Sequence, residues 1–232
     1  MEFEEWEPLY EAIRRDFGYS RADDERTRDR LAELTGPFDL KTLEAVRDAT
    51  VVIAGAGPSL DERASIERAG EADVVIGAST AVDRLETAGI DVDCMVTDLD
   101  KNPETVVGLT ARGTPVAVHA HGDNLEAVES VIPDCADQFV LPTTQVEPVG
   151  PVRNFGGFTD GDRAAFLADH LGAATLRFVG WDLDDPEVSA AKARKLEWAE
   201  RLLSWLEHRR GERFEVLDGR RDGIDVSALP VE

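Results

Sequence analysis

From Thr50 onward the chain alternates short, continuous apolar runs with longer stretches in which apolar residues return every three or four positions. The runs are Thr50 to Ala54, Asp73 to Ala78, Cys94 to Thr97, Pro115 to His119, Gln138 to Leu141, Thr175 to Gly180 and Phe214 to Leu217. Their length and composition predict strands, and the amphipathic stretches between them predict helices. Apolar strands alternating with helices predict a mostly parallel sheet covered on both faces, a Rossmann-like α/β fold. Ahead of it, residues 1–48 read as a helical arm. Trp6, Leu9, Tyr10, Ile13 and Phe17 share a helical face that stops at Gly18. A charged helix follows from Arg21 to Glu33, with Leu31 and Leu34 on its apolar side, and Gly36-Pro37 breaks it. Asp39 then caps a third helix that turns Leu40, Leu43 and Val46 inward. The expected organisation is an arm, 1–48, and an α/β domain, 49–232. The arm is read as a structural appendage, with an oligomer contact left open. A long helix spans Pro186 to Arg210, with Trp198 and Trp205 packing on the arm or sheet, and the tail from Arg220 to Glu232 reads as polar and peripheral.

Ligands of open parallel sheets bind beyond the carboxyl ends of the strands. The first strand runs into Gly55-Ala56-Gly57-Pro58-Ser59-Leu60, a tight turn whose glycines and free N–H groups suit a phosphate. A dinucleotide fingerprint would want glycine in place of Leu60 and an acid after the second strand, where Ser79 and Thr80 stand instead. A nicotinamide enzyme is therefore disfavoured. Ser79 and Thr80 can cap the next helix or touch a ligand. The third strand ends in Asp98-Leu99-Asp100-Lys101. In extended backbone the two aspartates share a face and make a seat for Mg2+; the structural alternative is one helix cap and one solvated acid. His119, His121 and Asp123 follow the fourth strand, where a transition-metal site is conceivable but phosphate or oxygen-ligated metal contact fits better.

The loop Asn154-Phe155-Gly156-Gly157-Phe158-Thr159-Asp160-Gly161-Asp162-Arg163 precedes a helix from Arg163 to Leu171. Its glycines bring backbone close to a ligand, its two aromatics can sandwich a flat ring, and Arg163 sits in a first helical turn that disfavours a cation without an anionic partner. The sixth strand ends at Trp181-Asp182, and Lys192 and Lys195 stand one turn apart in the helix beyond, where they meet phosphate or pair with Glu187 or Glu197.

Charge changes the weighting. With 48 acidic against 25 basic residues the net charge is -23, spread along the 232 residues. Such a surface repels nucleic acid and anionic membrane. Scarce lysine beside abundant acid resembles proteins of salt-in halophiles, so a lone carboxylate is weak evidence of function here. Cys94 and Cys135 are too far apart in sequence for a zinc motif and read as small buried residues. No signal-peptide pattern and no membrane-length apolar run is present, which predicts a cytoplasmic protein.

Four motifs occur in order between Val51 and Trp198: Gly55 to Leu60, Thr97 to Asp100, His119 to Asn124, and Phe155 to Arg163. Together they resemble the archaeal 6-hydroxymethyl-7,8-dihydropterin pyrophosphokinase family, whose core is related to thiamine pyrophosphokinase. The resemblance implies Mg2+-dependent transfer of diphosphate from ATP to the reduced hydroxymethylpterin, with release of AMP, in folate or methanopterin synthesis. It implies that Asp98, Asp100 and Asp123 hold the metal and serve catalysis. It implies that Gly55, Gly57, Pro58, Ser59, Thr159, Asp160, Gly161 and Arg163 grip ATP. Asn154, Phe155, Gly156, Gly157 and Phe158 would bind the pterin, with Asp182 pairing its aminopyrimidine edge. A glycosyltransferase group concerned with flagellin modification shares the Gly-Ala-Gly-Pro-Ser-Leu turn, in usually much longer chains. A non-catalytic nucleotide-binding module is the other rival.

Overall fold

The structure, a computed structural model, describes residues 1–229; the last three residues of the predicted tail lie outside it. Six strands form one sheet: β1 (Thr50–Ala54), β2 (Val74–Ala78), β3 (Cys94–Thr97), β4 (Val116–Ala120), β5 (Val140–Thr144) and β6 (Thr175–Val179). All pairings are parallel, in the order β5-β4-β3-β2-β1-β6. The chain thus steps from β1 to one edge, then returns to place β6 on the other side of β1.

Alternation along the strands sorts side chains onto two cores. Val51, Ile53, Val74, Ile76 and Val96 face one way, toward α1 (Phe3–Phe17), α7 (Asp160–His170) and α8 (Ala190–Arg210). Val52, Ala54, Val75, Met95 and Val118 face the other, toward α3 (Arg63–Gly70), α4 (Ala81–Thr87), α5 (Pro103–Ala111) and α6 (Leu125–Val131). Each fully buried aliphatic or aromatic side chain contributes about 1.5–3 kcal/mol. The last strand predicted does not form. Glu215–Leu217 is a 3-10 turn, because Glu207 accepts the Phe214 N–H while Arg221 donates to the carbonyls of Phe214 and Leu217. With those backbone groups satisfied by side chains, nothing remains to pair with the sheet edge at β6.

The arm is α1, α2 (Arg21–Leu34) and a 3-10 segment, Leu40–Val46, with Ser20 and Asp39 as caps and Gly18 ending α1 in the left-handed conformation. Trp6, Leu9, Tyr10 and Ile13 join the same core as β1 and α7. α2 packs against α6, β4 and β5. α7 begins three residues before its predicted start, at a reciprocal capping box between Thr159 and Asp162. α8 begins after its predicted start, where the Ser189 side chain caps the Lys192 N–H. No helix among the described residues is long and apolar enough to cross a membrane.

Candidate active site

Beyond the carboxyl edge of the sheet lies a cavity of about 520 Å³, and the loop after every strand reaches it: Gly57, Ser79, Asp98, His121, Gln145 and Asp182 each line it. This volume is typical of small-molecule sites. The arm closes one side with Tyr19 and Asp24, and α8 contributes Lys192 and Lys195.

Asp98 and Asp100 meet through a turn, not through extended alternation. Leu99 has φ of 66°, left-handed and buried, with its N–H donating to the Thr97 hydroxyl at 3.0 Å. The Asp100 N–H donates to Asp98 Oδ1 at 3.3 Å. On the other side, His121 Nε2 lies 3.3 Å from Asp98 Oδ2. The Asp123 N–H donates to His121 Nδ1, which places the proton of a neutral ring on Nε2, toward Asp98. Buried Asn124 binds this corner together: its amide donates to the backbone carbonyls of Asp98 at 2.6 Å and His119 at 2.7 Å, and its oxygen accepts the His121 N–H. Burial opposes the charge on Asp98, yet the His121 hydrogen bond and the charge of Arg163 hold its carboxyl well below the usual range. Burial and the charge of Asp98 push Asp100 up.

A carboxylate pair in which one member is held ionised and raises the other fits a hard cation that keeps waters and shares phosphates. Among the described residues no three His, Cys, Asp or Glu side chains converge as a metal cage. Asp123 lines the cavity without completing a triad. The transition-metal arrangement of His119, His121 and Asp123 is therefore not assembled. Buried His119 turns its Nδ1 to the Thr143 hydroxyl at 3.0 Å.

The turn after β1 is built differently from expectation. Three of its N–H groups are taken inside the protein, Gly55 by Val179, Gly57 by Gly180 and Ser59 by Asp182 Oδ2, while Ala56, whose N–H is not so taken, lines the cavity. A Cβ on Gly57 would lie 2.2 Å from Asp182 Oδ2 and 2.7 Å from the Gly180 carbonyl. The glycine thus lets the β1 and β6 loops touch each other. Asp182 also accepts the Ser59 hydroxyl at 2.7 Å, so it pins this turn. Gly55 and Gly57 line the cavity; Pro58 and Ser59 do not.

The start of α7 is more open. The Thr159 hydroxyl takes the Asp162 N–H, leaving Asp160 and Gly161 N–H with no intrahelical acceptor. Thr159, Asp160, Gly161 and Arg163 all line the cavity. Arg163 donates to Asp160 at 3.0 Å, and burial plus the charge of Asp98 push the Asp160 carboxyl up to about 7. Of Asn154 to Phe158, only Phe158 lines the cavity, beside Tyr19 at 6.4 Å between ring centroids. Asn154 holds the loop through Val146 and Gly156, Phe155 packs on His170, and Gly156 and Gly157 back onto Trp6 and Arg163.

The family model described as 6-hydroxymethylpterin diphosphokinase MptE-like matches residues 25–188. The chain belongs to this family. Three archaeal relatives carry the name 6-hydroxymethyl-7,8-dihydropterin pyrophosphokinase. The protein of Pyrococcus furiosus is 37% identical over 226 residues, covering 90% of this chain and 95% of the relative. That of Methanothermobacter thermautotrophicus is 37% identical over 233 residues, covering 93% and 99%. That of Methanocaldococcus jannaschii is 31% identical over 232 residues, covering 89% and 96%. In this diphosphokinase-family chain the matched segment includes the loops after β1 to β6 but begins inside α2. The cavity residues that the sequence reading missed include Tyr19 and Asp24 in the arm and Gln145 after β5. A signal for Asp24 exists in hindsight: Asp24, Thr27, Arg28 and Leu31 fall on one buried helical face.

Proposed function

We propose that this chain transfers diphosphate from ATP to 6-hydroxymethyl-7,8-dihydropterin, with Mg2+, giving the pterin diphosphate and AMP for folate or methanopterin synthesis. The reading is carried by one observation: the Asp98/Asp100 pair and the open N–H groups of α7 share a single cavity at the sheet edge. The family and the names of the relatives support the acceptor.

The pterin hydroxyl oxygen forms a bond to the β-phosphorus as the bond from that phosphorus to the α,β-bridging oxygen breaks. AMP leaves with the bridging oxygen, and the hydroxyl proton passes to solvent. Asp98 and Asp100 would hold Mg2+, which when bound neutralises charge on the phosphate oxygens. His121 is committed at both ring nitrogens, so it aligns Asp98 and does not serve as the base. The first turn of α7 faces its N–H groups and positive dipole end to phosphate. Tyr19 and Phe158 offer their faces to the pterin ring. Asp182 acts by fixing the β1 turn. With a loose transition state, positioning and charge neutralisation account for the rate. Incubation with ATP, Mg2+ and the reduced hydroxymethylpterin tests the reading. Pterin-dependent AMP release is expected, and AMP at the no-pterin background would end it.

A further inference from the structure

The chain holds four lysines, Lys41, Lys101, Lys192 and Lys195, among its 48 acidic residues. Three of them, all but Lys41, line the cavity beyond the carboxyl edge of the sheet. The arginines behave differently. Among the described residues every ion pair is made by arginine or histidine and none by lysine. Arg15, Arg47, Arg153 and Arg201 also make none, but none of those four lines the cavity. Glu187 falls outside α8, and neither it nor Glu197 stands three or four positions from a lysine within that helix.

The position of Lys192 is also adverse for α8 itself. It lies in the first turn, beside the positive end of the helix dipole, where a cation is destabilising by some tenths of a kcal/mol. The three ammonium groups act on one another: burial and the charges of Lys101 and Lys195 lower the Lys192 ammonium, against the pull of Asp160. Lys101, Lys192 and Lys195 line the same cavity as the Asp98/Asp100 pair. Lys195 Nζ sits over the Phe158 ring at 5.9 Å, between the aromatic wall and the polar floor.

We propose that Lys101, Lys192 and Lys195 form a seat for a diphosphate group, holding the β- and γ-phosphates of the donor and the same group after transfer. Three cations that share a cavity and enter no ion pair among the described residues are matched by one compact polyanion. Identifying that anion as the transferred group rests on the diphosphokinase reading; the seat itself can be tested without the reaction.

Calorimetric titration with inorganic diphosphate, and separately with AMP, is the test, in Mg2+ buffer. The wild type is expected to bind diphosphate despite its net charge, more weakly as NaCl is raised. Lys192→Ala/Lys195→Ala is expected to weaken diphosphate binding at least about tenfold and leave AMP within about twofold. Lys192→Arg/Lys195→Arg should recover part of the loss, and Lys41→Ala should match the wild type. Single Lys101→Ala and Lys195→Gln variants carry the test if the double variant does not fold. Diphosphate binding unchanged in the lysine variants, or absent in the wild type, overturns the seat. A seat confirmed in this way, without pterin-dependent AMP release, leaves the seat standing and removes the reaction. AMP release insensitive to the lysine variants does the reverse.

Discussion

The Asp24 carboxylate, in the second helix of the arm, accepts a 2.6 Å hydrogen bond from the backbone N–H of Gly122. Gly122 lies between His121, which contacts Asp98, and Asp123. The other oxygen of Asp24 accepts from the Tyr10 hydroxyl at 2.7 Å and the Gln145 amide at 2.8 Å. Trp6 extends the connection by donating to the Gln145 carbonyl. The arm is therefore tied to the Asp98 corner of the cavity through one buried acid.

Asp24→Ala is expected to lower both stability and turnover. Three buried donors lose their acceptor, a cost on the order of 3 kcal/mol. Loosening the loop that aligns Asp98 should reduce kcat at least about tenfold. Urea denaturation and AMP release measure the two effects. A variant as stable and as active as its parent would detach the arm from the site.

Asp98→Asn and Asp100→Asn are each expected to cut turnover at least about a hundredfold at saturating Mg2+ while the fold persists. Far-ultraviolet circular dichroism and a Mg2+ titration of the rate check this. Turnover at the wild-type level would take the substituted carboxylate out of the chemistry.

Ser79 is buried, has φ of 49°, and its hydroxyl has no partner within the protein. Ser79→Gly removes left-handed strain and should stabilise by about 0.5–1 kcal/mol. Ser79→Ala keeps the strain and should not gain. Both lose a hydroxyl at the cavity wall, so both should raise the KM for ATP. A glycine variant less stable than the alanine variant contradicts the strain.

Asp160 links stability to pH. Its folded carboxyl, raised to about 7, holds a proton at pH 5 that the unfolded chain has already released. Between pH 5 and 8 the folded state must give that proton up, so the wild type loses stability as pH rises. Relative to Asp160→Asn in metal-free buffer, the loss is on the order of 2–3 kcal/mol over this interval. The trend carries the prediction, because removing the partner of Arg163 adds a constant offset. A pH-independent difference between the two proteins contradicts it.

Most of the sheet was legible because its strands are buried on both faces and so read as unbroken apolar runs. β5 was displaced in the sequence reading, which stopped at Leu141. Pro142, Thr143 and Thr144 look like loop but complete the strand, because β5 is an edge where proline is tolerated. Thr143 satisfies its hydroxyl on His119 and the Val118 carbonyl. The Asp98/Asp100 pair was legible as chemistry, but its geometry was not, since nothing in the letters announces a leucine in the left-handed region. The glycine turn after β1 carried a phosphate signal, yet the N–H groups of Gly55, Gly57 and Ser59 serve the end of β6 and its loop, for Ser59 a contact 123 positions away along the chain. Asp24 was hidden because, in an acid-rich helix, a buried carboxylate and a solvated one are spelled alike.

The pairing of β6 with β1 has a bearing on synthesis. A growing chain can lay down β1 to β5 and the Asp98 corner in order, each strand beside its predecessor. The turn at Gly57 cannot be locked until Gly180 and Asp182 have left the ribosome, and the lysines of α8 come later still. A nascent or truncated chain would therefore hold its acidic corner before the lysines that face the same cavity.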